Sequence, residues 1–154
     1  MKKESHTNGT FMVNPSWKIG IVAASFYKEE TDAMIESARK ALMHAGIPEE
    51  NILFYPVAGS FEIPLMGAAL AKAKKVDALI GIGIIVQGET KHADLLAAES
   101  ARGIMDVQLQ YQIPFAFEVL WVKTLADAKA RANKGEEAAQ AVLLSLAELA
   151  RLHS

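Results

Sequence analysis

Apolar residues recur along this chain in two periods that take turns. Short runs at residues 18–24, 51–57, 76–86 and 114–122 are almost continuously hydrophobic and rich in β-branched or aromatic side chains, which predicts strands covered on both faces. Between and after them, apolar positions return every three or four residues, which predicts helices. The first helix spans 28–45, with Met34, Ile35, Ala38, Ala41, Leu42 and Ala45 on one face, and Gly46 and Pro48 stop it. A second runs from the Ser60–Pro64 turn to residue 75, with Ser60 as its cap and Pro64 in its first turn. A third covers 91–112. Residues 124–132 make a short helical piece, Asn133-Lys134-Gly135 a break, and 136–152 a final helix with Leu143, Leu144, Leu146, Leu149 and Leu152 on its buried side.

Strands alternating with helices of this length imply right-handed crossovers and a parallel sheet. The predicted fold is therefore α/β: a three-layer sandwich around a four-stranded parallel sheet in the flavodoxin-like order 2-1-3-4. The loops after strands 1, 2 and 3 then open on one edge of the sheet, where ligands of such folds bind. That placement brings Phe26, Ser60-Phe61-Glu62 and Gly88-Glu89-Thr90-Lys91-His92 around one cleft.

Composition narrows the classes. With 154 residues the chain forms one domain, expected at 17–154, behind a polar arm at 1–16 that is flexible or orders against a neighbour. Half of the residues are hydrophobic and the net charge is −2, so neither a basic field for nucleic acid nor an acidic tail is present. There is no cysteine for disulfide or thiolate chemistry. No apolar run nears the roughly 20 residues a bilayer span needs, and no secretory leader is legible. The expectation is a cytoplasmic protein acting on small molecules.

The strand that ends at Val86 gives way to a glycine and then to a helix start. Amides of Glu89 and Thr90 are thereby left free at the first helical turn, a seat for an anion. His92 stands one turn from that seat and can shuttle protons near neutral pH, although a lone histidine at a helix start is more often a surface residue. Phe26 and Phe61 can stack on a planar heterocycle or serve as rim packing. Glu62 suits the positive end of its helix and can also accept hydrogen bonds from a polyol. Arg131 can clamp a phosphate or stay solvated. Glu89-x-x-His92 has metal-ligand spacing but lacks a second ligand pair, so no metal is expected. These patterns give an α/β protein for small molecules and do not name a reaction.

Gly59-Ser60-Phe61-Glu62-Ile63-Pro64 followed by Gly83-Ile84-Ile85-Val86-Gln87-Gly88-Glu89-Thr90-Lys91-His92 resembles the 6,7-dimethyl-8-ribityllumazine synthase family, in register from residue 18 to residue 154. The resemblance implies condensation of 5-amino-6-(D-ribitylamino)uracil with 3,4-dihydroxy-2-butanone 4-phosphate in riboflavin biosynthesis, releasing phosphate and water without any cofactor. It makes Phe26 the stacking partner of the pyrimidine. Ser60, Phe61, Glu62, Ile84, Ile85 and Val86 then hold the ring and its ribityl chain. Glu89, Thr90 and Arg131 bind phosphate, and His92 is the acid/base. Phe117 and Lys134 complete the site, and the groups from Phe117 onward come from an adjacent subunit of a pentamer or higher multiple. Two departures stand out: Tyr27 follows Phe26 where the family has asparagine, and the segment joining Arg131 to Asn133-Lys134-Gly135 is short. The second of these motivates a competing expectation, a catalytically weakened scaffold or a lumazine- or flavin-binding oligomer of the same fold. A related riboflavin synthase of archaeal type is a third reading.

Overall fold

A computed structural model describes residues 11–154. Its sheet contains β1 (Ile19–Ala24), β2 (Ile52–Val57), β3 (Ala78–Val86) and β4 (Phe115–Val122), all parallel and in the order β2-β1-β3-β4. The predicted topology is the observed one. Helices α1 (Lys28–Ala45) and α5 (Lys134–His153) cover one face of the sheet, and α2 (Ile63–Lys72) and α3 (His92–Tyr111) cover the other. A one-and-a-half-turn helix, α4 (Leu125–Lys129), links β4 to α5.

Strand pleating divides the core in two. Ile19, Ile21, Ile80, Ile82 and Ile84 meet Met34, Leu42, Val142 and Leu143 on the α1/α5 side. Val22, Leu79, Ile85, Phe115 and Val119 meet Ile63, Leu70, Ile104 and Val107 on the α2/α3 side. Both faces of β1 and β3 are therefore buried, which is why these strands read as unbroken apolar runs. Pro56 sits in β2, an edge of the sheet, where a missing N–H breaks no central ladder.

Several boundaries differ from expectation. Strand β3 begins at Ala78 because Asp77 is engaged in a clip: its carboxylate accepts from the Lys18 amide at 2.8 Å while its own amide donates to the Lys18 carbonyl at 2.7 Å. Ser60 is not a helix cap. Instead the Glu62 carboxylate reaches back to accept the Gly59 amide at 3.1 Å, and Ser60 begins a short 3-10 turn (Ser60–Glu62) ahead of α2. The break placed at Asn133-Lys134-Gly135 falls earlier, since α5 already includes Lys134 and Gly135. Gly135 is buried there, and a side chain at that position would collide with the Met34 carbonyl of α1. Leu152, expected on the buried side of α5, is exposed near the chain end, whereas Leu143 and Leu146 are buried as expected.

The expected arm at 1–16 lies outside the described residues as far as residue 10. From residue 11 onward, Phe11, Val13 and Trp17 pack against the α1/α5 core, and the Asn51 side-chain amide donates to the Pro15 carbonyl at 2.9 Å.

Candidate functional site

The carboxyl ends of β1, β2 and β3 feed three loops that meet over the α2/α3 side of the sheet. Between them lies a cleft of about 350 Å³. Phe26, Ser60, Phe61, Glu62, Ile84, Ile85, Val86 and His92, all singled out from sequence, line it, joined by Tyr27, Gly59, Ala93 and Leu96. Its walls are largely apolar, with a few polar side chains converging on one volume, as small-molecule sites usually are.

Local bonding fixes each wall. The Ser25 hydroxyl donates to the Val57 carbonyl at 2.7 Å and ties the end of β1 to the end of β2. Thr31, buried on α1, donates its amide to the Tyr27 carbonyl and its hydroxyl to the Phe26 carbonyl, each at 2.9 Å. The loop carrying Phe26 is thereby anchored to the first turn of α1, and the Phe26 ring lies against Gly59.

Ser60 is buried under the sheet end, and Ser100 of α3 donates to its carbonyl at 3.3 Å. That close seat depends on Gly83: a Cβ built there would strike the Ser60 hydroxyl. The glycine inside β3 is thus a point of close approach.

His92 is the first residue of α3, exposed and facing the cleft. Ahead of it, the Gln87 amide closes onto the Val122 carbonyl at 2.8 Å and ends the ladder. The Glu89 and Thr90 amides donate to no group among the described residues. The Thr90 hydroxyl takes only a long 3.4 Å contact from the His92 amide. Free N–H groups at the positive end of a 20-residue helix form a seat for a negatively charged group beside the imidazole.

Glu89 and Thr90 stand beside the cleft without lining it, and three further expected site residues lie elsewhere in the same chain. Phe117 projects from β4 and is exposed, as is Trp121 four residues farther along the same face. Arg131 is exposed in the turn between α4 and α5, and its guanidinium pairs with no carboxylate among the described residues. Lys134 pairs with Glu137 of its own helix at 2.9 Å. None of the three lines the cleft. No group of three or more metal-ligating side chains occurs among the described residues, and no helix among them is long and apolar enough to cross a membrane.

Thr31 and Ser100 are the functional residues that sequence reasoning passed over. Each is a polar residue on an otherwise apolar helical face, Thr31 one turn before Met34 and Ser100 one turn before Ile104. That pattern is the signal that could have marked them, because a buried hydroxyl there must be bonded.

Residues 16–151 match the family model described as 6,7-dimethyl-8-ribityllumazine synthase. Among curated proteins, the 6,7-dimethyl-8-ribityllumazine synthase of Polaromonas sp. (strain JS666) is 40% identical over 134 residues, covering 86% of each chain. That of Stenotrophomonas maltophilia (strain K279a) is 38% identical over 144 residues, covering 90% of this chain and 93% of its own. That of Levilactobacillus brevis is 40% identical over 131 residues, covering 82% and 83%.

Proposed function

The chain belongs to the 6,7-dimethyl-8-ribityllumazine synthase family, and on that premise we propose that the cleft joins 5-amino-6-(D-ribitylamino)uracil to 3,4-dihydroxy-2-butanone 4-phosphate with His92 as acid and base. The observation that carries the assignment of roles is the position of His92, which faces a largely apolar cleft and follows, one residue on, the two unpaired amides of Glu89 and Thr90.

The pyrimidine stacks on Phe26, with its edge along the backbone of Ile84, Ile85 and Val86. Ser60, Phe61 and Glu62 hold the ring edge and the ribityl chain. The ketone's phosphate sits on the amides of Glu89 and Thr90. The amine of the pyrimidine adds to the ketone carbonyl, and loss of water gives an imine. Phosphate then leaves, and the ribityl-bearing nitrogen closes the second ring on the remaining carbonyl with loss of a second water. Each stage moves a proton, and an imidazole at the cleft wall can take up and return it. The amides stabilise the departing phosphate electrostatically, and confinement of two reactants in one cleft supplies much of the remaining rate gain.

Phe117, Arg131 and Lys134 are supplied by a second copy of the chain. This accounts for exposed aromatic residues on edge strand β4 and for an unpaired Arg131 outside the cleft. The working form is a pentamer or a higher multiple of one, in the cytoplasm. The described part of the arm and the domain that follows it act as a single folded unit in that assembly.

The test is direct: purified protein mixed with both substrates forms the lumazine and inorganic phosphate in equal amounts. Pyrimidine binding without turnover, and without competition from inorganic phosphate, would instead select a scaffold that has lost the chemistry. The pairing of Lys134 with Glu137 within its own helix is what favours that second reading.

A further inference from the structure

Three residues other than glycine have positive φ among the described residues: Tyr27, Lys74 and Gln112. Lys74 and Gln112 follow the ends of α2 and α3, where a left-handed residue ordinarily terminates a helix. Tyr27 stands at the opposite kind of position. It precedes α1 with φ 55° and ψ 56°, where an N-cap residue is normally extended and offers a short polar side chain. An aromatic residue there is strained, and it makes no side-chain capping bond in return. Thr31 holds the strain in place through the two bonds it makes to the carbonyls of Phe26 and Tyr27.

The strained residue also lines the cleft, and its phenol hydroxyl has no partner among the described residues. A hydroxylated chain entering this cleft loses water against Phe26 and the end of β3, so its hydroxyls need both acceptors and donors. Glu62 is an acceptor, with one of its oxygens already engaged by the Gly59 amide. The lone pairs of the same hydroxyls still require a donor, and Tyr27 carries one at the cleft wall.

We propose that Tyr27 is a further substrate-contacting residue, whose phenol hydroxyl donates to the hydroxylated chain of the pyrimidine substrate and whose left-handed backbone aims it into the cleft. This inference rests on the reaction assigned above, because it takes the ribityl chain as the group contacted. Strain retained at a ligand-facing residue is a common arrangement in binding sites.

The experiment is calorimetric titration with 5-amino-6-(D-ribitylamino)uracil and with the same pyrimidine carrying an ethyl group in place of the ribityl chain. Tyr27→Phe should weaken binding of the ribityl compound by about 3- to 10-fold, the range for one neutral hydrogen bond, and leave the ethyl compound unchanged. Tyr27→Asn, which relieves the backbone, should melt no lower than wild type and still bind the ribityl compound more weakly. Wild-type binding of the ribityl compound that Tyr27→Phe equals, or a loss the two compounds share, overturns the role of Tyr27 alone. Wild-type protein that binds neither compound overturns the assigned reaction together with it.

Discussion

Thr31 and Ser100 never reach the cleft, yet they decide where its walls stand. Thr31→Val keeps the volume but leaves the partly buried Phe26 carbonyl without its hydroxyl donor at 2.9 Å. The expected loss is about 1–3 kcal/mol of stability, read by urea unfolding, together with a higher KM for the pyrimidine as Phe26 loosens. At His92 the expectation is different in kind. His92→Ala should lower kcat by roughly 10²- to 10⁴-fold with little change in either KM, because the exposed side chain acts on protons and supports no packing. Steady-state kinetics separates the two behaviours. Phe26, Ser60, Phe61, Glu62 and His92 were legible in the sequence because turn chemistry and strand ends place them, and a recognisable pair of motifs carries them. Thr31 and Ser100 were not, since a hydroxyl inside a helical stretch gives no hint of which carbonyl it will meet across the fold. Tyr27 was visible only as a departure, as a backbone dihedral leaves no trace in composition.

Among elements, β1 and β3 were the most readable, because burial on both faces leaves an unbroken apolar run. The start of α5 was misread for a reason that can be stated physically. Glycine in sequence signals a break, but Gly135 serves the approach of α5 to α1, where a methyl group would collide with the Met34 carbonyl. Gly135→Ala should therefore destabilise the protein by about 1–3 kcal/mol, the cost of overpacking, even though alanine is the better helix former by about 1 kcal/mol. Chemical denaturation checks the sign: a more stable variant would mean that α1 and α5 can separate freely. Gly83 behaves alike on the other face. There Gly83→Ala should displace Ser60 and raise the KM of the pyrimidine, a kinetic effect that the Gly135 change does not share.

For the whole molecule, one chain supplies a cleft, an imidazole and an amide seat, and leaves Phe117, Trp121 and Arg131 facing outward. The sheet order followed from the alternation of strand and helix and the handedness of crossovers. The composition of the complete site did not, because on the proposed assignment the residues that complete the cleft come from a second copy and share no periodicity with those that build it. Arg131→Ala should raise the KM of the phosphorylated ketone and leave that of the pyrimidine alone, as the loss of a phosphate clamp requires; an equal rise in both would assign Arg131 to packing between copies.

That sharing of the site is open to a single decisive measurement. His92→Ala and Arg131→Ala chains, each impaired alone, are co-expressed in equal amounts, purified as mixed assemblies and assayed for lumazine formation. If His92 comes from one copy and Arg131 from the next, about a quarter of the sites in a randomly mixed ring hold both groups, and activity should recover to about that fraction of wild type. Activity no greater than the average of the two parent variants would contradict the account.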